Sequence, residues 1–270
     1  MSTQTAAKKE IAPPLLVDRQ KMPYDLADEI GYRCRIGLIV LASDYTIEHE
    51  FRKMLDIPGV AVYASRIYND AEISAQSLAA MEERIAESTR VILPGASLDV
   101  VAYGCTSGAM TIGDDKVAEL IHKVRPGVAC TSPMKAALAA FEAFGARRIA
   151  LLTPYMDEIN QTMRDFVEAR GFSVPVMGSF NEPNDNKVGR ISPDSIRAAA
   201  LELGSSDRID AVFVACTALR VVEIAAGIES ELGKPVTSSN HAMAWHCLRL
   251  AGIDDPQPHL GRLYTLPLPG

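Results

Sequence analysis

Five cysteines, Cys34, Cys105, Cys130, Cys216 and Cys247, are the side chains of this sequence best suited to nucleophilic and acid–base work. No two of them stand at the short spacing of a metal site or a local disulfide, so they are read as thiols. Two share a setting. Leu98-Asp99-Val100-Val101-Ala102-Tyr103-Gly104-Cys105-Thr106 resembles Ile209-Asp210-Ala211-Val212-Phe213-Val214-Ala215-Cys216-Thr217, so Cys105 and Cys216 each close an apolar run and precede a threonine. Ser107 and Gly108 follow the first pair, small residues that leave backbone N–H donors open near the sulfur. Such donors favour a thiolate and can also hold a substrate carboxylate. Two thiols on opposite sides of one carbon could exchange its proton, one removing it and the other delivering a proton from the far face.

Apolar runs too short for typical helices recur at Ile36–Leu41, Val60–Tyr63, Val100–Tyr103, Ile149–Leu152, Val174–Met177 and Ala211–Ala215. Helical stretches separate them, and this alternation implies α/β architecture with mostly parallel sheets flanked by helices. The chain repeats itself. Arg35-Ile36-Gly37-Leu38 matches Arg148-Ile149-Ala150-Leu151, the two cysteine segments match in the same order, and Gly127–Ser132 faces Lys234–Ser238. Three matches at nearly one offset predict two similar Rossmann-like halves about a pseudo-twofold axis, with both sulfurs facing one cleft. The expected division is an N-terminal arm over 1–30, a first half over 31–145 completed by a C-terminal helix within about 239–270, and a second half over 146–238.

The 27 Lys and Arg against 34 Asp and Glu leave a net charge of −7, which argues against a nucleic-acid partner. A hydrophobic fraction of 48% excludes wholesale disorder. No run approaches a membrane span and Met1–Glu10 is polar, so no membrane partner and a cytoplasmic location are expected. His241, His246 and His49 lack a third ligand at useful spacing, so no metal is expected. Neither a dinucleotide fingerprint nor a phosphate loop is present, so no nucleotide cofactor is expected.

A wider set of residues is recognisable: Ser43-Asp44-Tyr45-Thr46-Ile47-Glu48-His49-Glu50, Gly104-Cys105-Thr106-Ser107, Thr153-Pro154-Tyr155 with Asn160, Asp185-Asn186-Lys187-Val188-Gly189-Arg190, Ala215-Cys216-Thr217 and Ser238-Ser239-Asn240. From about Arg35 to Leu263 the chain resembles the aspartate/glutamate racemase superfamily, in the branch of maleate cis-trans isomerase and arylmalonate decarboxylase. The resemblance implies a cofactor-free, metal-free enzyme with a small-molecule carboxylate or amino-acid substrate, assembled as a homo-oligomer. It implies Cys105 and Cys216 as catalytic thiols and Ser43, Asp44, Thr106, Ser107, Tyr155, Asn186 and Thr217 around the substrate. Arylmalonate decarboxylases hold only the later cysteine, so the filled pair favours racemisation or isomerisation over decarboxylation.

In maleate isomerases the first turn carries Ser-Asn where this chain has Ser43-Asp44. An ionised Asp would repel a dicarboxylate and suit an ammonium group, although Asp is also favoured there as a helix N-cap. The stretch Gly37–Arg52 with Pro235–Ala242 is most similar to the maleate-isomerase-like proteins encoded with ectoine-degradation enzymes, the EutA group. That implies a racemase or epimerase acting on a diaminobutyrate derivative in ectoine catabolism. The alternatives are a maleate cis-trans isomerase using covalent thiolate addition, and a non-catalytic protein that binds such a metabolite.

Overall fold

The computed structural model describes residues 19–70 and 74–269. The expected arm lies outside them up to residue 18, and its remainder, 19–30, is exposed chain without helix or strand. Two four-stranded parallel sheets follow, both α/β units with helices against them. The first is built from β1 (Cys34–Leu41), β2 (Val60–Ile67), β3 (Val100–Gly104) and β4 (Ala129–Thr131) in the order β2-β1-β3-β4. The second, from β5 (Arg148–Thr153), β6 (Ser173–Ser179), β7 (Ala211–Val214) and β8 (Val236–Ser238), has the matching order β6-β5-β7-β8. Continuous apolar runs form the central strands because both faces of β1, β3, β5 and β7 are covered.

The repeat has a physical basis in one hydrogen-bond motif. Asp99 accepts the Arg35 N–H at 2.7 Å and returns its own N–H to the Arg35 carbonyl at 2.9 Å, fixing the start of β1 against the start of β3. In the second half Asp210 accepts the N–H groups of Arg147 and Arg148 at 3.0 and 2.8 Å and donates to the Arg148 carbonyl. The Arg148 guanidinium also pairs with Asp210 and holds its carboxyl down at about 2. Because the folded-state value lies below the unfolded one, this stabilisation is present above about pH 4 and fades as pH falls through about 2. Asp210→Ala should therefore lower the melting temperature at pH 7 by roughly 2–4 °C, the loss of about 1 kcal/mol. Melting curves of parent and variant should converge toward pH 2; a gap that stays constant with pH would assign the effect to something other than the carboxylate.

After each fourth strand a serine starts a long helix. Ser132 accepts the Lys135 N–H to cap α6 (Pro133–Phe144), and Ser238 accepts the His241 N–H to cap α11 (Ser239–Leu250). These two helices pack on each other and cross over: α6 touches β7 and β8 of the second sheet, and α11 touches β3 and β4 of the first. The remaining helices are α1 (Ile47–Met54), α2 (Ala75–Ala79), α3 (Glu82–Arg90), α4 (Thr106–Ile112) and α5 (Asp114–His122) in the first half, then α7 (Asp157–Glu168), α8 (Asp185–Val188), α9 (Pro193–Gly204) and α10 (Val222–Leu232), with α1 packed on α11 and α4 on α6. His241 and His246 are buried in α11, where desolvation lowers both to about 4 and hydroxyl partners Thr237 and Thr131 fix their rings. Among the described residues no helix is long and apolar enough to cross a membrane, and no group of three or more His, Cys, Asp or Glu side chains could hold a metal ion.

Candidate active site

β3 ends at Gly104, whose backbone approaches the Ile39 carbonyl so closely that a Cβ would stand 2.8 Å from that oxygen. The chain then turns at Cys105, which caps α4 in an extended conformation, and the Cys105 sulfur accepts the Gly108 N–H at 3.2 Å. Gly108 makes this contact possible, since a Cβ there would lie 2.8 Å from the same sulfur. In the second half Cys216 stands two residues beyond β7 with φ of 121°, and the Ala218 N–H and the Tyr155 hydroxyl both favour its thiolate. Ser239 joins the two strand ends: its oxygen accepts the Cys216 N–H at 3.0 Å and the Thr106 hydroxyl at 2.8 Å.

Both thiols line one pocket. Thr106, Ser107, Tyr155, Asp185 and Thr217 line it too, with Leu41, Asn69, Asp70, Ser77, Leu78 and Met81 completing the wall. Both halves therefore contribute. Tyr155 is buried and reaches Cys216 and Ser107 with its hydroxyl, while its carbonyl is held by Asn160 and Ser179. The first amides of α4, Thr106 and Ser107, have no acceptor within the helix and lie at the pocket wall. The Thr106 hydroxyl itself is committed to Ser239, so its backbone N–H is the group left for a ligand.

Three of the sequence-predicted contacts fall elsewhere. Asn186 is exposed and outside the pocket wall, whereas its neighbour Asp185 is buried and on it. As the first residue of the single-turn α8, Asp185 turns inward and Asn186 outward. Asp44 is buried behind the wall as a local cap, its Oδ1 accepting the Thr46 and Ile47 N–H groups at 2.7 and 3.0 Å. Its Oδ2 completes no hydrogen bond, although the Thr217 side chain is close enough to favour the charged form. Ser43 stands behind Asp185, donating to its carboxylate while accepting the Asn69 amide at 2.8 Å. Asn69, Asp70 and the α2 residues were not foreseen; Asp185 was legible as part of its motif, but nothing in the local pattern aimed α2 at the cysteines.

Among the described residues the pocket wall carries no Lys, Arg or His. Burial pushes the Cys105 thiol up to about 12, and the Asp185 and Asp44 charges push the same way against the Gly108 N–H and Ser107. Burial first, then Asp185, also raises Cys216, opposed by the Ala218 N–H and Tyr155. The strand-end donors expected to lower these thiols are present but outweighed, so burial keeps both sulfurs protonated. Asp185 is itself raised, by burial and by Asp44, with the Ser43 hydroxyl opposing.

The sequence profile of the arylmalonate decarboxylase family matches residues 36–264. A maleate isomerase of Nocardia farcinica is 30% identical over 245 residues, covering 85% of this chain and 94% of that protein. The maleate isomerase of Alcaligenes faecalis is 27% identical over 250 residues, 86% of this chain and 96% of its own. Among solved structures, a mutant of the N. farcinica maleate cis-trans isomerase with a covalently bound succinylcysteine intermediate superposes with a TM-score of 0.78 at 28% identity, covering 86% of this chain and 98% of that one. The profile takes in both sheets, both pocket thiols and the crossed helices, and on that span this chain belongs to the arylmalonate decarboxylase and maleate isomerase family.

Proposed function

We propose that this protein is a cofactor-independent isomerase that inverts the α-carbon of an amino acid by proton exchange between Cys105 and Cys216. The observation that carries this reading is the pairing of two strand-end thiols in one pocket whose only charged wall residues, among the described residues, are the carboxylates Asp70 and Asp185. A dianion such as maleate would set its second carboxylate beside these groups, whereas an ammonium would be attracted. Burial is the main cause that holds both thiols up, and a bound ammonium would offset the carboxylate charges that add to it, so the substrate itself would help form the thiolate.

The substrate carboxylate is held by the N–H groups of Thr106 and Ser107, with Thr217 and the Tyr155 hydroxyl as further donors. One thiolate takes the α-proton, these donors stabilise the charge that develops on the carboxylate, and the opposite thiol reprotonates the other face. Within amine-bearing acids, the sequence resemblance favours a diaminobutyrate derivative released when an ectoine ring opens.

Maleate isomerisation is the second reading, favoured by the succinylcysteine intermediate in the N. farcinica relative. Incubation in deuterated water with diaminobutyrate, its two acetylated forms, aspartate and maleate separates the two. Deuterium at Cα of one of the amino acids, with no mass added to the protein, is the expected result. Conversion of maleate with a thioether adduct and no exchange at any Cα would overturn it.

A further inference from the structure

Cys216 holds a backbone conformation that the rest of the fold must enforce. Its φ of 121° lies well beyond the left-handed region near Leu93 and Asn181, the other positive-φ residues other than glycine among those described. Few residues with a Cβ adopt it, and such strain persists only where the surroundings over-determine it. Cys105 carries no comparable burden, since it caps α4 with φ of −141°.

The turn from Cys216 to Val222 is gripped at five backbone groups, every one by a side chain at the start of α1 or in the first turn of α11. Ser239 takes the Cys216 N–H; Asn240 donates to the Thr217 carbonyl at 2.7 Å; Thr46 donates to the Ala218 carbonyl at 2.9 Å. Glu50 accepts the Val221 and Val222 N–H groups at 2.7 and 2.9 Å through one carboxylate oxygen. Its other oxygen accepts the Asn240 amide at 2.8 Å, so Glu50 and Asn240 form one unit.

That unit is costly to bury. Glu50 is 3% exposed and Asn240 fully buried, and no cation within 4 Å pairs with Glu50 among the described ion pairs. The Asn240 carbonyl oxygen has no partner at all. Turning that amide over would face its oxygen toward Glu50 and the Thr217 carbonyl, so the donors point the way described. An apolar side chain would fill the space without an orphaned acceptor, and the cost is explained by what the two amide hydrogens hold in place.

We propose that Glu50 and Asn240 are positioning residues for Cys216: together they impose the strained turn that presents its sulfur to the pocket, and they do so for this thiol only. The proposal rests on Cys216 being one of the reacting thiols. Neither residue lines the pocket, so their effect passes through the backbone of 216–222.

The test compares the parent with Glu50→Gln, Asn240→Ala and the uncharged, donor-bearing Asn240→Ser, each as the full chain. Alkylation of the two pocket cysteines by iodoacetamide is followed by peptide mass spectrometry, alongside melting temperature and steady-state turnover. The expected result is a change of about fivefold or more in the Cys216 rate with Cys105 within about twofold, and turnover lower by roughly 10- to 100-fold with KM nearly constant. Equal changes at both thiols, or an unchanged Cys216 rate in folded variants, would overturn the proposal. Should Asn240→Ala not fold, Asn240→Ser and Glu50→Gln carry the same comparison. Alkylation needs no substrate, so its outcome stands even if no amino acid proves to be turned over, which would count against the functional reading alone.

Discussion

Cys105→Ala and Cys216→Ala should each reduce racemisation by roughly 10²- to 10⁴-fold, the range associated with losing a positioned acid or base. The two variants should differ in a way a general loss of activity would not produce. The remaining thiol still faces the α-proton of one enantiomer, so each variant should wash deuterium into one enantiomer without inverting it, and the favoured enantiomer should switch between them. Proton magnetic resonance of each isolated enantiomer in deuterated water reads this directly. Racemisation above about a tenth of parent in either variant, or washout from both enantiomers in both, would exclude one thiol per face. Cys34 and Cys247 are fully buried away from the pocket wall, and their alanine variants should lose stability while the turnover of the folded fraction is kept.

Asp185→Asn carries the second large effect, with opposite signs on two measurements. Removing the carboxylate takes away the attraction for an ammonium, about 4 kcal/mol at 4 Å in a partly desolvated site before residual solvent reduces it, so kcat/KM for the amine-bearing substrate should fall by roughly 10²- to 10³-fold. The Asp185 charge raises both pocket thiols, so its loss should lower them and move the alkylation pH profile to lower pH. Unfolding would also expose these buried thiols, so the two opposite signs are read in a variant that keeps the melting temperature of the parent. Asn keeps an acceptor for the Ser43 hydroxyl, which preserves the local packing. An unchanged kcat/KM would remove Asp185 from substrate recognition.

The fold was largely legible because its strands are buried on both faces. Runs such as Ile36–Leu41 and Ala211–Ala215 have no polar register to confuse them, and the three-residue β4 and β8 emerged only because each echoed the other. The thiol pair was legible for the same reason, since a repeat marks equivalent positions without any structure. Asp185 and Asn186 show where reading stops: in a four-residue helix one step along the chain turns a side chain by about 100°, and no neighbouring pattern fixes the phase. The acidity of the thiols was misjudged because N–H donors are visible in a sequence and desolvation is not. The φ of Cys216 left no trace either, because its cause lies in α1 and α11, far along the chain.

The crossing of α6 and α11 also bears on how the molecule is made. Ser239 and Asn240, which secure the Cys216 turn, sit at the start of a helix that packs on the first sheet, so neither half owns the whole of its own chemistry. A ribosome that has released only the first 230 residues has made both cysteines but not the helix that sets them, and the pocket can close only once residues 239–250 have followed. Severing the gene between the halves should then yield two fragments that are inert apart and regain function only by trading helices.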